Sequence, residues 1–493
     1  NSLISEFLHD DNRLIILTGP KKEDLTKVTE KEVIELLDSV KTADIKDYED
    51  KAVRDDMMPV KPKKGSIASI EVNNPEKINE TTTITLSNGA KVTFKKTEFK
   101  NDEILFEAFS YGGTSLYSDA DLKETSSANR GLFEAGIDGL TKNDMTKMMS
   151  GKIARVSPYI GRNDEGMRGS ASPKDLETMF QMIHLYFTKL DKDPEAFKSF
   201  ISKQKAFLGN ILSNPNISFS IALGKFSNEG NPRYTGFPTE EDLDNANYDL
   251  AYTKFKERFA NAGDFNFYFV GNVDPKKIAD YAETYIASLP GNSEREMYKV
   301  SSFRPKSGAH KFTYNKGTEP KSQVNLIYRG EAEYTDKGAR AMSALGEILS
   351  IKLIEKLREE EGGVYGAGAR GSISKLPYSR FSFSISFPCA PENAEKLSAA
   401  AIAELEKIIK DGPTEIDLDK VKKALLLTRK ENLEQNRFWL SAIRNADYNK
   451  SDIDNVVNYE KNVNALTTKD IHNVAKTYLN GGYIKAILMP EEQ

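Results

Sequence analysis

At 493 residues the chain is longer than one ordinary domain, and about 100–200 residues per domain predicts two to four. With 39% hydrophobic residues it can build packed cores, while 29% charge leaves no apolar run of the ~18–20 residues that a membrane span needs. Sixty-nine basic against 74 acidic residues, a net charge of -5, argue against a nucleic-acid partner, and one cysteine, Cys389, allows neither an intrachain disulfide nor a thiolate zinc site.

The opening Asn1-Ser2-Leu3-Ile4-Ser5 lacks the basic and apolar pattern of a signal peptide. Phe7 to Asp11 leads into Leu14-Ile15-Ile16-Leu17 and Gly19-Pro20, much as the chain closes on Leu488-Met489-Pro490. Residues 1–20 therefore read as the tail of a preceding unit, and the chain as a C-terminal piece of something longer. Residues 21–78 are charged and proline-bearing, as in Pro59-Val60-Lys61-Pro62, which predicts a linker with one helix near Glu32 to Val40.

The remainder repeats. Gly89 to Lys96 resembles Gly308 to Lys316, each an alternating strand pattern after a turn. Lys192-Asp193-Pro194 and Lys410-Asp411-Gly412-Pro413 each divide two long helical segments, and Phe259 to Gly263 and Tyr478 to Gly482 each precede a terminal strand. All three pairs are separated by about 219 residues, so residues 79–295 and 296–493 read as two homologous units. In each the order is strands, a helix, more strands, two long helices, a final helix and a strand. The expected fold class is α+β, each unit an antiparallel sheet with helices packed on one face. A helix opening at Ser172-Pro173-Lys174-Asp175 is expected to bury Leu176, Met179, Phe180, Ile183 and Phe187. Phe381 to Phe387 alternates strictly, as a strand with one buried face does.

Candidate chemistry is sparse. The histidines stand at 9, 184, 310 and 472, too far apart for a zinc-binding helix face. His184 lies on an apolar helix face between Ile183 and Phe187, where a core or rim role is expected. Gly366-Ala367-Gly368-Ala369-Arg370-Gly371 spells a dinucleotide-binding string, but it runs into a strand rather than a helix, so its glycines read as permitting close backbone approach. Gly112-Gly113-Thr114 lacks the lysine of a phosphate loop. From Leu345 to Tyr365 a helical apolar face ends with Arg358 among Glu359, Glu360 and Glu361, Gly362-Gly363 stops the helix, and Val364-Tyr365 is expected to start a strand. An arginine and a phenol at such a reversal can donate to an oxygen that gains charge in acyl transfer. Equally, Arg358 can pair with its glutamate neighbours and Tyr365 can pack against a helix.

Leu357-Arg358-Glu359-Glu360-Glu361-Gly362-Gly363-Val364-Tyr365 resembles the arginine-x6-tyrosine motif of the insulinase/pitrilysin family of zinc peptidases, the inverzincins. The duplicated units and the Phe269 to Asp274 strand end extend the resemblance over most of the chain. It implies a C-terminal half, inactive alone, of a zinc metalloendopeptidase. Zinc would be bound by the missing N-terminal half, or an active partner subunit, and the two parts would close around an unfolded peptide. In this implied role Arg358 and Tyr365 are the catalytic and substrate-binding residues, contacting the scissile carbonyl. The stretch from Ser126 to Gly136, where the zinc motif would fall, has no histidine, and Glu134 alone cannot hold the metal. Gly139 and Thr146 occupy the first unit's equivalents of the motif pair. The alternative is a non-proteolytic structural or protein-binding subunit of the same fold. The resemblance also carries the expectation of a periplasmic or cell-envelope location.

Overall fold

The structure is a computed structural model that describes residues 6–7, 13–19, 28–46 and 53–491. Asn1–Ala52 and Val53–Gln493 are separate compact units. In the first, helix α1 (Glu30–Thr42) opens on a capping box in which Thr29 and Glu32 satisfy each other's backbone, and none of its residues is buried. It covers the helix expected near Glu32 to Val40. Residues 13–19 form no regular structure and are exposed; most of the rest of residues 1–20 lies outside the described residues.

The second unit holds two sheets. Strands β1 (Ile67–Asn73), β2 (Thr81–Leu86), β3 (Lys91–Lys96), β4 (Ile104–Tyr111), β5 (Ala154–Ile160), β6 (Asp164–Ala171) and β7 (Asn266–Gly271) form the first, in the order β1-β2-β3-β7-β4-β6-β5. Strands β8 (His310–Asn315), β9 (Ser322–Glu331), β10 (Gly368–Ser374), β11 (Arg380–Cys389) and β12 (Ile484–Met489) form the second, in the order β10-β11-β9-β12-β8. Without the β1–β2 hairpin, the first sheet reads β3-β7-β4-β6-β5 and the second, in reverse, β8-β12-β9-β11-β10. The repeat is thus a repeat of topology.

Three expectations need correction. The sheets are not wholly antiparallel, because β3 pairs with β7 and β8 with β12 in parallel. Each terminal strand returns beside the first strand common to both repeats, β3 or β8, after a long helical crossover, and a crossover sets parallel direction where a hairpin cannot. The stretch assigned to a linker, 21–78, includes β1, whose short Ile70-Glu71-Val72-Asn73 alternation follows charged, proline-bearing sequence and is nearly all exposed. Met57 and Met58, also within that stretch, are buried in the first core. The helix expected to open at Ser172 begins three residues later, because the Asp175 carboxylate accepts from the Ser172 hydroxyl at 2.7 Å and the Ile153 amide at 2.8 Å, which folds that segment into a turn.

The principal helices are α2 (Leu176–Thr188), α3 (Pro194–Ile211), α4 (Pro215–Ser227), α5 (Tyr248–Arg258), α6 (Asp336–Leu353), α7 (Ala394–Asp411), α8 (Glu415–Asn432), α9 (Asn436–Tyr448) and α10 (Thr468–Tyr478). On the inner face of the first sheet Phe180 of α2 stacks on Phe269, 4.9 Å between ring centres, and Phe269 on Phe106. In the second, Leu345, Leu349 and Leu353 of α6 share a core with Phe383, Ile385 and Phe387 of β11, whose intervening serines point away. The outer faces are covered by exchange. Trp439, Leu440 and Ile443 of α9, from the second repeat, pack on Leu105, Phe109, Tyr268 and Val270 of the first sheet. Phe219 and Leu223 of α4, from the first repeat, pack on Ile484, Ala486 and Leu488 of the second. So helices cover the inner face of each sheet, and one borrowed helix lies on part of the outer face.

Candidate functional site

The helix-to-strand turn that carries Arg358 and Tyr365 is built by close packing behind it. Gly346 of α6 lies against Gly371 of β10 so tightly that a Cβ at 371 would fall 2.3 Å from the Met342 carbonyl oxygen. The Ser350 hydroxyl ties the two elements, accepting from the Ala369 amide at 2.8 Å and donating to its carbonyl at 3.0 Å. The glycine-rich string is thus a contact surface for a helix, and its last four residues, Gly368 to Gly371, already belong to β10.

Past Leu353 the helix widens into a π-helical turn, Ile354–Glu360, a geometry that recurs at functional sites. Leu357 is buried while Arg358, one residue on, is exposed. Gly362, at φ 61°, reverses the chain, and the Gly363 amide closes back on the Leu357 carbonyl at 3.1 Å. Val364 is buried, but it lies in the connecting loop, because β10 starts only at Gly368. The expectation of a strand from Val364 is corrected accordingly. Tyr365 sits in this loop with 97% of its surface exposed.

Neither bland alternative for the pair is realised. Glu360 is bound to Lys356 at 2.7 Å, and Glu361 to Lys396 at 2.7 Å and Lys356 at 3.4 Å. Among the described residues Arg358 makes no hydrogen bond or ion pair, and Tyr365 stands clear of any helix. Lys321, whose pKa is raised by the Glu319 carboxylate 2.7 Å away, is near enough to Tyr365 to feel its phenol. The turn leaves one guanidinium and one hydroxyl seven residues apart with free donors. Sequence reasoning missed the π-helical turn, since the apolar spacing through Leu353 and Leu357 fits an ordinary helix equally well.

The zinc that the resemblance implies does not fit the residues present. Among the described residues no three of His, Cys, Asp and Glu converge. The stretch from Ser126 to Gly136 ends in a short 3-10 turn, Gly131–Glu134, and the Glu134 carboxylate is held by Lys142 at 2.6 and 2.7 Å. His184 Nδ1 lies 2.8 Å from the Tyr285 carbonyl, and burial lowers its pKa; His310 and His472 likewise meet backbone carbonyls. His9 lies outside the described residues. Gly112-Gly113 forms a turn whose Gly113 amide donates to Glu165. Burial pushes the Cys389 thiol up to about 11.

Residues 252–425, which include both Arg358 and Tyr365, match the protein family described as the peptidase M16 inactive domain. The chain is 23% identical over 414 residues to the zinc protease PQQL-like of Arabidopsis thaliana, an alignment covering 80% of this chain and 40% of that protein. The periplasmic protease PqqL from Escherichia coli has the same fold, with a TM-score of 0.76 and 18% identity, over 94% of this chain and 51% of that one. A mutant of the ferredoxin protease FusC, solved in complex with Arabidopsis ferredoxin, gives a TM-score of 0.74 at 16% identity, over 95% of this chain and 51% of that one. The chain thus spans about two fifths to one half of these relatives. With duplicated α+β repeats, and with residues 252–425 matching the peptidase M16 inactive domain, the chain is similar to zinc proteases over most of its own length.

Proposed function

We propose that this chain is the C-terminal half of a zinc-dependent endopeptidase, forming one wall of its substrate chamber and contacting the scissile carbonyl through Arg358 and Tyr365. The carrying observation is the pair of free donors, exposed at a reversal that α6 and β10 hold from behind. Zinc, if held by an N-terminal half or an active partner subunit, would supply the Lewis acid and the activated water. This chain's own residues orient the peptide and donate hydrogen bonds. As the carbonyl carbon becomes tetrahedral its oxygen gains negative charge, and a guanidinium and a phenol hydroxyl favour that state over the neutral carbonyl. A donor that acts this way raises kcat more than it tightens substrate binding.

The reading is tested in the full-length protein by Arg358→Ala and Tyr365→Phe. Each is expected to lower kcat by about 100- to 1,000-fold, roughly 2.7–4 kcal/mol, with zinc content unchanged. Unchanged turnover in both variants would overturn the assignment and leave a protein-binding role for the fold. The periplasmic relative supports an envelope or periplasmic location, which cell fractionation checks directly.

A further inference from the structure

Helix α9 covers only part of the first sheet's outer face. Its apolar side chains meet residues of β4 and β7, and the outward positions of β6 and the edge strand β5 lie beside it uncovered. The resulting groove has a volume of about 500 Å³. Arg155 and Ser157 of β5 and Arg168 of β6 form its floor, and Arg437, Ser441 and Arg444 of α9 form its wall. Four guanidiniums thus line one groove in a chain whose net charge is -5.

Few of these charges are answered locally. Glu107, the one carboxylate in the lining, is shared between Arg168 Nε at 3.4 Å and Arg444 Nε at 3.5 Å. Arg444 also binds Asp164 at 2.8 Å and is largely enclosed. Arg155 has only the Ser170 hydroxyl, 2.9 Å from its Nε, and Arg437 makes no hydrogen bond or ion pair among the described residues. The Arg168 side chain is 67% exposed. The terminal nitrogens of three arginines therefore remain available, and a planar guanidinium matches a carboxylate with two parallel hydrogen bonds.

Spacing and size narrow the ligand. Arg155 lies opposite Ser170 and Arg168 opposite Ser157, which makes the two arginines diagonal neighbours about 7–8 Å apart. Alternate side chains on an extended peptide recur at roughly the same interval, twice the ~3.3 Å rise. The groove is also many times the ~30 Å³ share of a single water, in the range of pockets that hold multi-atom ligands. We infer that it binds an acidic polypeptide segment in extended form, with carboxylates at alternate positions. This site is independent of the Arg358 and Tyr365 assignment, and its test reads binding without hydrolysis.

The probes are fluorescein-labelled octapeptides of alternating Glu and Ser, and of alternating Gln and Ser, titrated with the full chain at low and high salt. The acidic peptide is expected to bind at least about tenfold more tightly than its neutral twin, because hydrogen bonds to charged groups are worth more than neutral ones, and to weaken with salt. The exposed double substitution Arg155→Gln with Arg437→Gln should remove that preference, while Arg370→Gln, at an exposed position of β10 in the other sheet, should leave it intact. Equal binding of the two peptides, or an acidic preference that survives the double substitution, overturns the proposal. So does displacement by equimolar inorganic phosphate, which would make the groove a site for small anions.

Discussion

The two repeats share one sheet topology and differ most in the helix that follows their second common strand. In the second repeat α6 runs unbroken from Asp336 to Leu353 and continues into the π-helical turn that ends at the motif. In the first, the corresponding stretch is split into a short helix (Asp119–Thr125), a 3-10 turn and another short helix (Lys142–Met148). Gly136 and Gly139, at φ 96° and 78°, turn the chain where a helix would have continued. The sheet register shows what accompanies this. Gly371 pairs with Phe383 in the second repeat, at the place where Ile160 pairs with Glu165 in the first. Glycine admits the pressing helix; where no long helix presses, a larger side chain fills the space. The shared scaffold thus accepts either arrangement, and the helix packed on its edge strand is where the two repeats part.

That contrast can be broken at four points. The largest effects are expected at the exchanged helices, where Trp439→Ala and Phe219→Ala each remove a ring that is wholly buried on the other repeat's sheet. Each should cost about 3–5 kcal/mol. Denaturant unfolding followed by circular dichroism should show the repeats lost in one transition, and two separate transitions would mean that they are energetically independent. Next is Glu165, whose carboxyl is driven up to about 8 by burial, against the opposing pull of the Gly113 amide and Arg258. The folded chain therefore holds a proton that the unfolded chain releases above its ordinary pKa, near 4.5. Stability from this group is expected to fall between about pH 5 and pH 8, by ~3 kcal/mol in order of magnitude. Glu165→Gln should flatten that slope in thermal melts, whereas Phe383, its counterpart, offers no such group.

Smaller effects sharpen the contrast at the edge strands. Gly371→Ala must push α6 off β10 and should destabilise by about 1–3 kcal/mol, with the motif turn displaced. Hydrogen exchange at residues 354–368 reads that displacement. Ser350→Ala removes the hydroxyl's ties to Ala369 and to the Gly346 carbonyl and should cost about 1 kcal/mol, visible chiefly as faster exchange of the Ala369 amide.

The sequence made the repeat legible because turn residues and alternating strands are local signals, and three of them recur at one spacing. It also exposed the reversal at Gly362-Gly363, where composition alone stops a helix. Strand direction was hidden, since Lys91 to Lys96 reads the same whether its neighbour runs parallel or antiparallel. So was the exchange of α4 and α9: an amphipathic pattern states that a face is buried, and says nothing of whose sheet buries it. Strand β1 escaped because its alternation is short and follows a charged, proline-bearing stretch. At the candidate site, Arg358 and Tyr365 stood out through a family motif and not through periodicity. The arginine groove gave no signal at all, because its charges come from two strands and a helix that only tertiary packing assembles.

The mutual loan of helices makes the body from Val53 onward an interlocked whole. Cleaving the chain between the repeats would not yield two tidy domains, because each fragment would leave behind the lid of the other and present a bare patch of Phe, Tyr, Val or Ile to water. A limb fastened in this reciprocal way resists bending at its own middle. A bend between the two sheets would have to peel both borrowed helices from their seats at once.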